Sequence, residues 1–265
     1  MRLGVVGDIH ANARALQEAL DLVQSRPIDQ LIFLGDLLTY GPDVDEVLAL
    51  VQEETEDGAQ LILGNHDAMY LDLLDGNQAY FDGLPLWIRE SVDWTLGQLD
   101  AELFRSLPFA KEWVAESTLV AHANPFDAED SGQPNWRYLN QLDDYAEAAR
   151  CLRDRDLRVG VFGHTHRARI VEWPSGRGLT DDKRASIYAW KPSGLEDALI
   201  LNAGAIGQPR GRGATSTVMW VTVEDEVDVD LAPVPYAVDE HVAALYNLPL
   251  SGSTIESLAR FFRSG

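Results

Sequence analysis

Residues 3–12, LGVVGDIHAN, decide the fold, because they join an apolar run to a turn, a polar pair and a helix start. Leu3–Val6 has the length and composition of a buried strand, and Gly7 allows a sharp turn where that strand ends. Asn12 is a residue type that caps helices, and the apolar spacing after it predicts a helix to about Ser25. The stretch therefore predicts a strand–loop–helix unit whose loop carries polar side chains.

The same unit recurs along the first part of the chain. Leu31–Leu34 and Gln60–Leu63 are further apolar runs, and a helix is predicted between them from about Asp43 to Glu54. Short apolar strands separated by helices favour parallel pairing, with helices covering the sheet. After Val159–Phe162 the spacing changes, and closely spaced runs predict the antiparallel strands of a second sheet at Ala168–Trp173, Ala185–Trp190, Ala198–Leu201, Thr215–Val223 and Val227–Leu231.

The middle of the chain connects these two patterns. Residues 67–108 are expected to be mostly helical, and Thr118–Ala121 and Val159–Phe162 to be strands. A polar loop over 124–134 is expected to lead directly into a helix that ends near residue 153, and residues 174–184 are expected to form a mobile hairpin tip. With no repeat or clear linker in the sequence, we expect one domain over residues 1–265.

Composition narrows the function classes. The 265 residues carry a net charge of −22, which opposes broad binding to nucleic acid or to an anionic membrane. No apolar run approaches the roughly 20 residues that a membrane helix needs, and no signal-like segment precedes the first strand. The single cysteine, Cys151, can form no internal disulfide and is interpreted as a small core residue. These features favour a cytoplasmic protein.

Five of the six histidines directly follow strand candidates, where open α/β sheets collect their functional residues. Imidazole and carboxylate together suit Mn, Fe or Zn better than Mg or Ca, and Asp36, alone after its strand, is the natural bridge between two ions. The sites are GDIHAN with Asp8 and His10, GDLLTYGP with Asp36, GNHD with Asn65, His66 and Asp67, VAHANP with His122, and GHTH with His164 and His166.

Each of these sites also has an ordinary structural explanation. Asp8 and His10 could be a helix cap and a surface residue, Asn65 could lie in a turn, and His122 could be a hydrogen-bonded core histidine. The sixth histidine, His241, shows the contrast, because it lies inside a helical pattern and is interpreted as surface or packing. Five such sites in this order, each at a strand end, favour one shared metal site over five separate explanations.

In order, the sites match D-x-H, G-D, G-N-H-D/E, H and G-H-x-H, and the chain from Asp8 to His166 resembles the calcineurin-like metallophosphoesterase family. The resemblance implies a four-layer α/β/β/α sandwich of two mixed sheets flanked by helices, and two bound transition-metal ions. It also implies that His66 lies over the scissile phosphate as an acid or charge stabiliser, oriented by Asp67. The implied ligands are Asp8, His10 and His166 for the first ion, Asn65, His122 and His164 for the second, and Asp36 for both.

Two stretches, GDLLTYGPD at 35–43 and LNAGAIGQPR at 201–210, resemble the compact bacterial branch of predicted phosphoesterases, or diadenosine-tetraphosphatase-like proteins. Phosphoprotein phosphatases of the family instead carry G-D-x-V-D-R-G, whose arginine clamps phosphate, and Tyr40 stands at that arginine position here. Ala11 stands where the family more often has glycine. The expected substrate is therefore a small phosphodiester or nucleotide-type phosphate, not a phosphoprotein.

The implied mechanism is attack on phosphorus by a hydroxide that bridges two metal ions. A small phosphomonoester is the alternative substrate, and a catalytically silent interaction scaffold on the same fold is the alternative class, disfavoured because His66 and all the ligands are present. Net charge disfavours extended nucleic acid as a partner. Arg210 and Arg212 could bind a terminal phosphate or a neighbouring carboxylate, and Trp136 could stack a nucleobase, although packing is its ordinary role.

Overall fold

The computed structural model describes residues 1–128, 132–175, 178–179, 186–211 and 215–262. Among the described elements, strands and helices alternate up to residue 62, four helices and then three strands follow in succession up to residue 121, and after one more helix the elements are strands up to residue 233. In chain order they are β1 Arg2–Val6, α1 Ala13–Gln24, β2 Gln30–Phe33, α2 Val44–Glu56, β3 Gln60–Ile62, α3 Asn65–Leu74, α4 Ala79–Asp82, α5 Leu86–Gln98, α6 Ala101–Ser106, β4 Phe109–Ala110, β5 Glu112–Ala115, β6 Thr118–Ala121, α7 Leu142–Asp154, β7 Val159–Phe162, β8 Ala168–Trp173, β9 Gly178–Leu179, β10 Ser186–Trp190, β11 Ala198–Ala203, β12 Thr217–Val223, β13 Val227–Pro233, α8 Val238–Tyr246 and α9 Gly252–Ala259.

The strands form two mixed sheets. The first has the order β10-β13-β12-β1-β2-β3-β4, in which β1 to β4 run parallel and the other three pair antiparallel. The second has the order β5-β6-β7-β11-β8-β9. The expectation of a purely antiparallel second part is wrong for β11, which pairs in parallel with β7 and antiparallel with β8. The expectation that the late strands all belong to a second sheet is also wrong, because β10, β12 and β13 extend the first sheet beside β1.

The two sheets pack face to face around a layer of aliphatic side chains. Leu3 and Val5 from the first sheet lie in one buried cluster with Val161, Leu199 and Leu201 from the second. Strands of both sheets are buried on both faces, which is why their sequences are continuous apolar runs. This central layer fixes the separation of the sheets and so brings the ends of their strands together.

Helices cover the outer face of each sheet. On the first sheet, α1 and α2 contribute Leu16, Leu20 and Val47 to a cluster with Phe33. On the second sheet, α7 packs its buried face, including Leu152, against the strands. The α/β/β/α order of layers confirms the predicted fold.

Several local predictions need correction. The helix expected directly after the polar loop begins only at Leu142, and residues 135–140 run without helical structure over the end of the second sheet. β4 and β5 were not predicted, because they are two and four residues long and lack a continuous apolar run. Cys151 is half-buried on α7 and not a core residue. Of the predicted hairpin tip, residues 176–177 and 180–184 lie outside the described part of the chain.

Two further observations concern individual helices. His241 is buried on α8, with its ring against Phe262 at a centroid distance of 4.8 Å, which confirms a packing role. Among the described residues, no helix is both long and apolar enough to span a bilayer.

Candidate metal centre

All seven predicted metal ligands lie together where the central strands of the two sheets end. Asp8 and His10 follow β1, Asp36 follows β2 and Asn65 begins α3 directly after β3. His122 follows β6, and His164 and His166 follow β7 on the second sheet. Each of the seven side chains is at most 5% exposed. The predicted convergence of these residues at the carboxyl ends of the strands is therefore present in the structure.

The loops that carry the ligands have an unusual backbone. Asp8, His10, Asp36, His164 and His166 all have positive φ values, between 50° and 63°. A non-glycine residue in this conformation costs roughly 1–3 kcal/mol and persists only where the surrounding structure enforces it. Five such residues at one point indicate that the fold spends stability to aim these side chains inward.

The potential ligand atoms form two groups that share one residue. Asp8, His10, Asp36 and His166 have ligand atoms within 4.8 Å of one another, and so do Asp36, His122 and His164. The Oδ2 atom of Asp36 lies 3.8 Å from Nε2 of His10 in the first group and 3.5 Å from Nε2 of His122 in the second. This carboxylate oxygen is therefore placed between both groups.

Asn65 extends the second group with an amide oxygen. Its Oδ1 atom lies 3.1 Å from Nε2 of His122, and that same nitrogen is 3.3 Å from Nδ1 of His164. His164 faces the centre with Nδ1 because its Nε2–H donates to the carbonyl oxygen of Trp136 at 2.9 Å. The second group thus offers an amide oxygen, two imidazole nitrogens and the shared carboxylate.

The orientation of the histidine rings in the first group fits a bound cation. Nδ1 of His10 and Nδ1 of His166 lie 3.0 Å and 2.7 Å from the carbonyl oxygens of Leu38 and Gln208, so both atoms must donate their protons. In the neutral rings the two Nε2 lone pairs then face each other at 3.1 Å. Burial lowers the pKa of His10 to about 3, so a positive ion fits between these atoms better than a proton does.

The carboxylates lead to the same conclusion. Burial, with the nearby charge of Asp36, raises the pKa of Asp8 to about 8 despite the opposing effect of His122. Burial also lowers the pKa of His164 to about 3, which keeps this ring neutral and its lone pair available. His122 differs, because burial is outweighed by the charge and hydrogen bond of Asp36 together with the charge of Asp8, which raise the pKa of His122 to about 9, so this ring carries a positive charge that a bound ion would replace. Buried acids beside imidazoles are a donor set that divalent transition ions satisfy by supplying positive charge.

Asp67 supports the loop that carries Asp36. Its carboxylate accepts backbone N–H bonds from Asp36, Leu37 and Gly64, at 2.8 to 2.9 Å. Gly64 is required at this point, because a Cβ atom there would collide with the Asp36 side chain and backbone. These contacts place Asp67 on the backbone of the ligand loop, whereas the sequence prediction had it orienting the His66 ring.

The His66 ring is held by two hydroxyl groups. Its Nδ1 atom is 3.0 Å from Oγ1 of Thr39, which is itself 2.9 Å from the hydroxyl of Tyr70. Its Nε2 atom is 3.1 Å from the hydroxyl of Tyr40. The backbone N–H of His66 donates to Oδ1 of Asp36 at 2.8 Å, which leaves Oδ2 of that carboxylate for the centre. The His66 ring therefore lies beside the predicted ligands, and its two nitrogens contact the hydroxyl groups of Thr39 and Tyr40.

Comparison with known proteins agrees with this geometry. A family model for calcineurin-like phosphoesterases matches residues 1–168, which is well over half of the chain and includes all seven ligands. The chain belongs to the calcineurin-like phosphoesterase family. It is accordingly a metal-dependent phosphoric ester hydrolase, as the sequence predicted.

Relatives of this phosphoesterase differ in how much of the chain they match. An uncharacterized protein of Methanocaldococcus jannaschii is 25% identical over 238 residues, covering 88% of this chain and 87% of that protein. A symmetrical bis(5'-nucleosyl)-tetraphosphatase of Methylobacillus flagellatus is 29% identical over 178 residues, covering 64% of this chain and 57% of that protein. The crystal structure of a metallophosphoesterase from Sphaerobacter thermophilus has a TM-score of 0.74 at 23% identity, covering 98% of this chain and all of that one, and shows the same fold.

Among the described residues, Arg210 and several aromatic rings lie beside the phosphoesterase centre. The backbone N–H of Arg210 donates to the carbonyl oxygen of His166 at 3.0 Å, and its guanidinium donates to Oε1 of Gln208 at 2.8 Å. After burial, the charge of Arg210 is the next cause of the lowered pKa of His166. Arg210 is thus placed beside the first ligand group, whereas Arg212 lies outside the described residues.

Sequence reasoning missed three residues at the centre. Thr39 binds the His66 ring, Tyr40 was noted only for the arginine that it replaces, and the ring of Tyr138 stacks on His164 at a centroid distance of 4.0 Å and an interplanar angle of 16°. Thr39 and Tyr40 lie in the loop after β2 with φ values of 74° and 71°. The sequence could have indicated Thr39 and Tyr40 only through their position in a motif loop. No local sequence feature indicated that Tyr138 lies at the centre.

Proposed function

We propose that this protein hydrolyses a small phosphodiester or a nucleotide-type phosphate, using two transition-metal ions of the Mn, Fe or Zn type. The observation that carries the proposal is the position of Asp36 Oδ2, within 3.8 Å of an imidazole nitrogen in each ligand group. A carboxylate shared in this way lets two cations lie close together despite their repulsion. Two-metal sites of this kind are typical of phosphoryl-transfer hydrolysis.

The residues divide between the two ions by group. When bound, such ions polarise the phosphoryl oxygens and lower the pKa of the attacking water. The donor atoms come from neutral imidazoles, carboxylates and one amide, which fits transition ions better than Mg or Ca. The first ion would be held by Asp8, His10, Asp36 and His166, and the second by Asp36, Asn65, His122 and His164.

His66 would stabilise charge on the reacting phosphate through a hydrogen bond donated by Nε2–H. Two opposite arrangements of protons satisfy the chain of contacts. In the one that leaves a proton on Nε2, the Tyr70 hydroxyl donates to Thr39, Thr39 donates to Nδ1, and Nε2–H points toward Tyr40. With an ester bound, the same Nε2–H is the group available to a phosphoryl or leaving oxygen. Arg210, next to the first ligand group, would bind a further phosphoryl oxygen.

The net charge of the protein and the position of Tyr40 both favour a small substrate. A net charge of −22 opposes the approach of long polyanions, so extended nucleic acid and anionic membranes are not expected partners. Tyr40 is only 5% exposed, lies inside the centre and brings no positive charge to the place where phosphoprotein phosphatases have an arginine. Both features favour a small diester or nucleotide over a phosphoprotein.

The test compares kcat/KM of the Mn-loaded protein for bis-p-nitrophenyl phosphate, p-nitrophenyl phosphate, a phosphopeptide and single-stranded DNA. We expect the diester to be the best of the four. His66→Ala is the matched control, and it should keep its metal content while losing about 10²–10⁴-fold in turnover. Preference for the phosphopeptide or the DNA would contradict the proposed substrate class, and preference for the monoester would point to a small-molecule phosphatase. Metal loss in His66→Ala would mean that this residue is a ligand.

A further inference from the structure

A cavity of about 410 Å³ opens directly beside the second ligand group. Asn65 belongs to both, since its amide oxygen faces His122 and its side chain also lines the cavity. The walls include Tyr80 and Trp136. The volume lies within the range of about 300–1,000 Å³ that is typical of small-molecule sites. A group that fills this cavity would therefore lie next to a phosphate held at the metal centre.

The two aromatic walls are anchored to the centre itself. The Tyr80 hydroxyl accepts a hydrogen bond from Nδ2 of Asn65 at 3.1 Å, which turns the amide oxygen toward His122. The carbonyl oxygen of Trp136 accepts from Nε2 of His164 at 2.9 Å, and its indole lies edge-on to the His122 ring at 5.9 Å. The position of each aromatic residue is thus tied to a ligand of the second group.

The lining chemistry selects the kind of group that fits. Among the described residues that line the cavity there is no lysine or arginine, and Asp72 adds a carboxylate, so the lining disfavours a second phosphate. Ala68 and Met69 are 5% and 2% exposed and supply an apolar inner surface, which offers no partner to inward-pointing sugar hydroxyls. Asn77 and Asp72 supply polar atoms. A planar ring system with polar groups only on its edge matches this arrangement.

We propose that this cavity binds the nucleobase of a nucleotide-type substrate, with Tyr80 and Trp136 as the specificity-determining residues. The inference rests on the proposed function, and it adds the identity of one substituent of the phosphate. Base–aromatic stacking tolerates different bases, so the cavity would favour nucleotides over other phosphate esters without strong selection among bases. Arg210, beside His166 in the first ligand group, would contact the phosphate chain by exchanging its guanidinium bond to Gln208 for one to a phosphate oxygen.

Binding can be measured separately from hydrolysis. Isothermal titration calorimetry of the Mn-loaded protein would use the phosphonate analogues of AMP and of ribose 5-phosphate, which cannot be hydrolysed and differ only in the base. We expect the AMP analogue to bind roughly 5- to 150-fold more tightly, the effect of stacking one base on an aromatic side chain. Trp136→Ala should remove most of this ratio, and Trp136→Phe should keep most of it.

Tyr80→Ala has a matched control in Tyr246→Ala, because the two tyrosines are 40% and 41% exposed and Tyr246 lies on α8, outside the cavity lining. Tyr80→Ala should reduce the affinity ratio of the two analogues, and Tyr246→Ala should leave it unchanged, with melting temperatures measured for both.

An affinity ratio near one in the wild type, or a ratio unaffected by Trp136→Ala, would overturn the inference. If a glucose 6-phosphate analogue bound more tightly than the AMP analogue, the cavity would be a sugar site. Failure to hydrolyse any ester, with the ratio intact, would contradict only the proposed function.

Discussion

Thr39 offers the sharpest test of how the centre positions its acid. Thr39→Val keeps the shape and β-branching of a fully buried residue while removing the hydroxyl that contacts both His66 and Tyr70. The imidazole then loses its partner at Nδ1, although Tyr40 still contacts Nε2 at 3.1 Å. The ring should consequently rotate or change tautomer, and its proton should leave Nε2.

The expected loss follows from the cost of an unpaired buried group. Leaving one buried polar atom without a partner costs about 1–3 kcal/mol, which corresponds to about 5- to 150-fold in rate if the cost falls on the transition state. Thr39→Ser restores the oxygen and should recover most of the activity. The Tyr70 hydroxyl loses its contact with Thr39 as well, so Thr39→Val should also lower the free energy of unfolding by about 1–3 kcal/mol.

The assay is a double-mutant cycle on kcat for bis-p-nitrophenyl phosphate under Mn loading. If Thr39 acts through the ring, Thr39→Val should cost 5- to 150-fold in the wild type but less than about twofold in His66→Ala, because effects of residues that act as a unit are not additive. Metal content measured on all four proteins serves as the control. Equal losses in both backgrounds would refute the positioning role of Thr39.

Three further predictions test the surrounding structure. Asp67→Ala should lower the free energy of unfolding by at least about 3 kcal/mol and weaken metal binding, because three buried backbone N–H groups lose their acceptor; a variant as stable as the wild type in urea would contradict this. Asp36→Asn should weaken both metal sites together, as measured by elemental analysis, and unchanged retention of both ions would exclude a shared ligand. Burial, and to a smaller extent the charge of Arg14, lowers the pKa of His241 to about 3. Below pH 6.5 the unfolded state therefore binds more protons than the folded state. Stability should therefore fall by up to about 1.4 kcal/mol per unit between pH 6.5 and 3 from this residue alone, and His241→Leu should flatten the urea-denaturation profile in that window relative to the wild type.

The sequence predicted the residues of the candidate metal centre better than the loops and side chains around them. β1, β2 and β3 begin or end within one residue of the predicted runs, because buried parallel strands are continuous apolar stretches that local composition identifies. Their polar ends then had to meet at one edge once the strands were paired. The strand ends identified the candidate residues and their order along the chain, whereas the choice of seven predicted ligands, with His66 left out, came from the resemblance to the calcineurin-like family.

Features that depend on tertiary contacts were not predictable in the same way. Residues 135–140 stay out of α7 and carry Trp136 and Tyr138 onto His164, an arrangement set by contacts across the fold. The hydroxyl of Tyr40 reaches His66 only because its backbone adopts a left-handed conformation, which β-turn and helix signals do not reveal. Asp67 lies beside His66 in sequence, yet its carboxylate turns to the backbone of a neighbouring loop.

The central claim is that Asp36 joins two metal ions in one centre. Electron paramagnetic resonance of the protein titrated with Mn²⁺ measures this directly, because ions about 3.5–4 Å apart that share a carboxylate are magnetically coupled. We predict saturation at two equivalents with an exchange-coupled spectrum, and loss of the coupling in Asp36→Asn. Saturation at one equivalent, or two equivalents with the spectrum of isolated Mn²⁺ ions, would contradict the account.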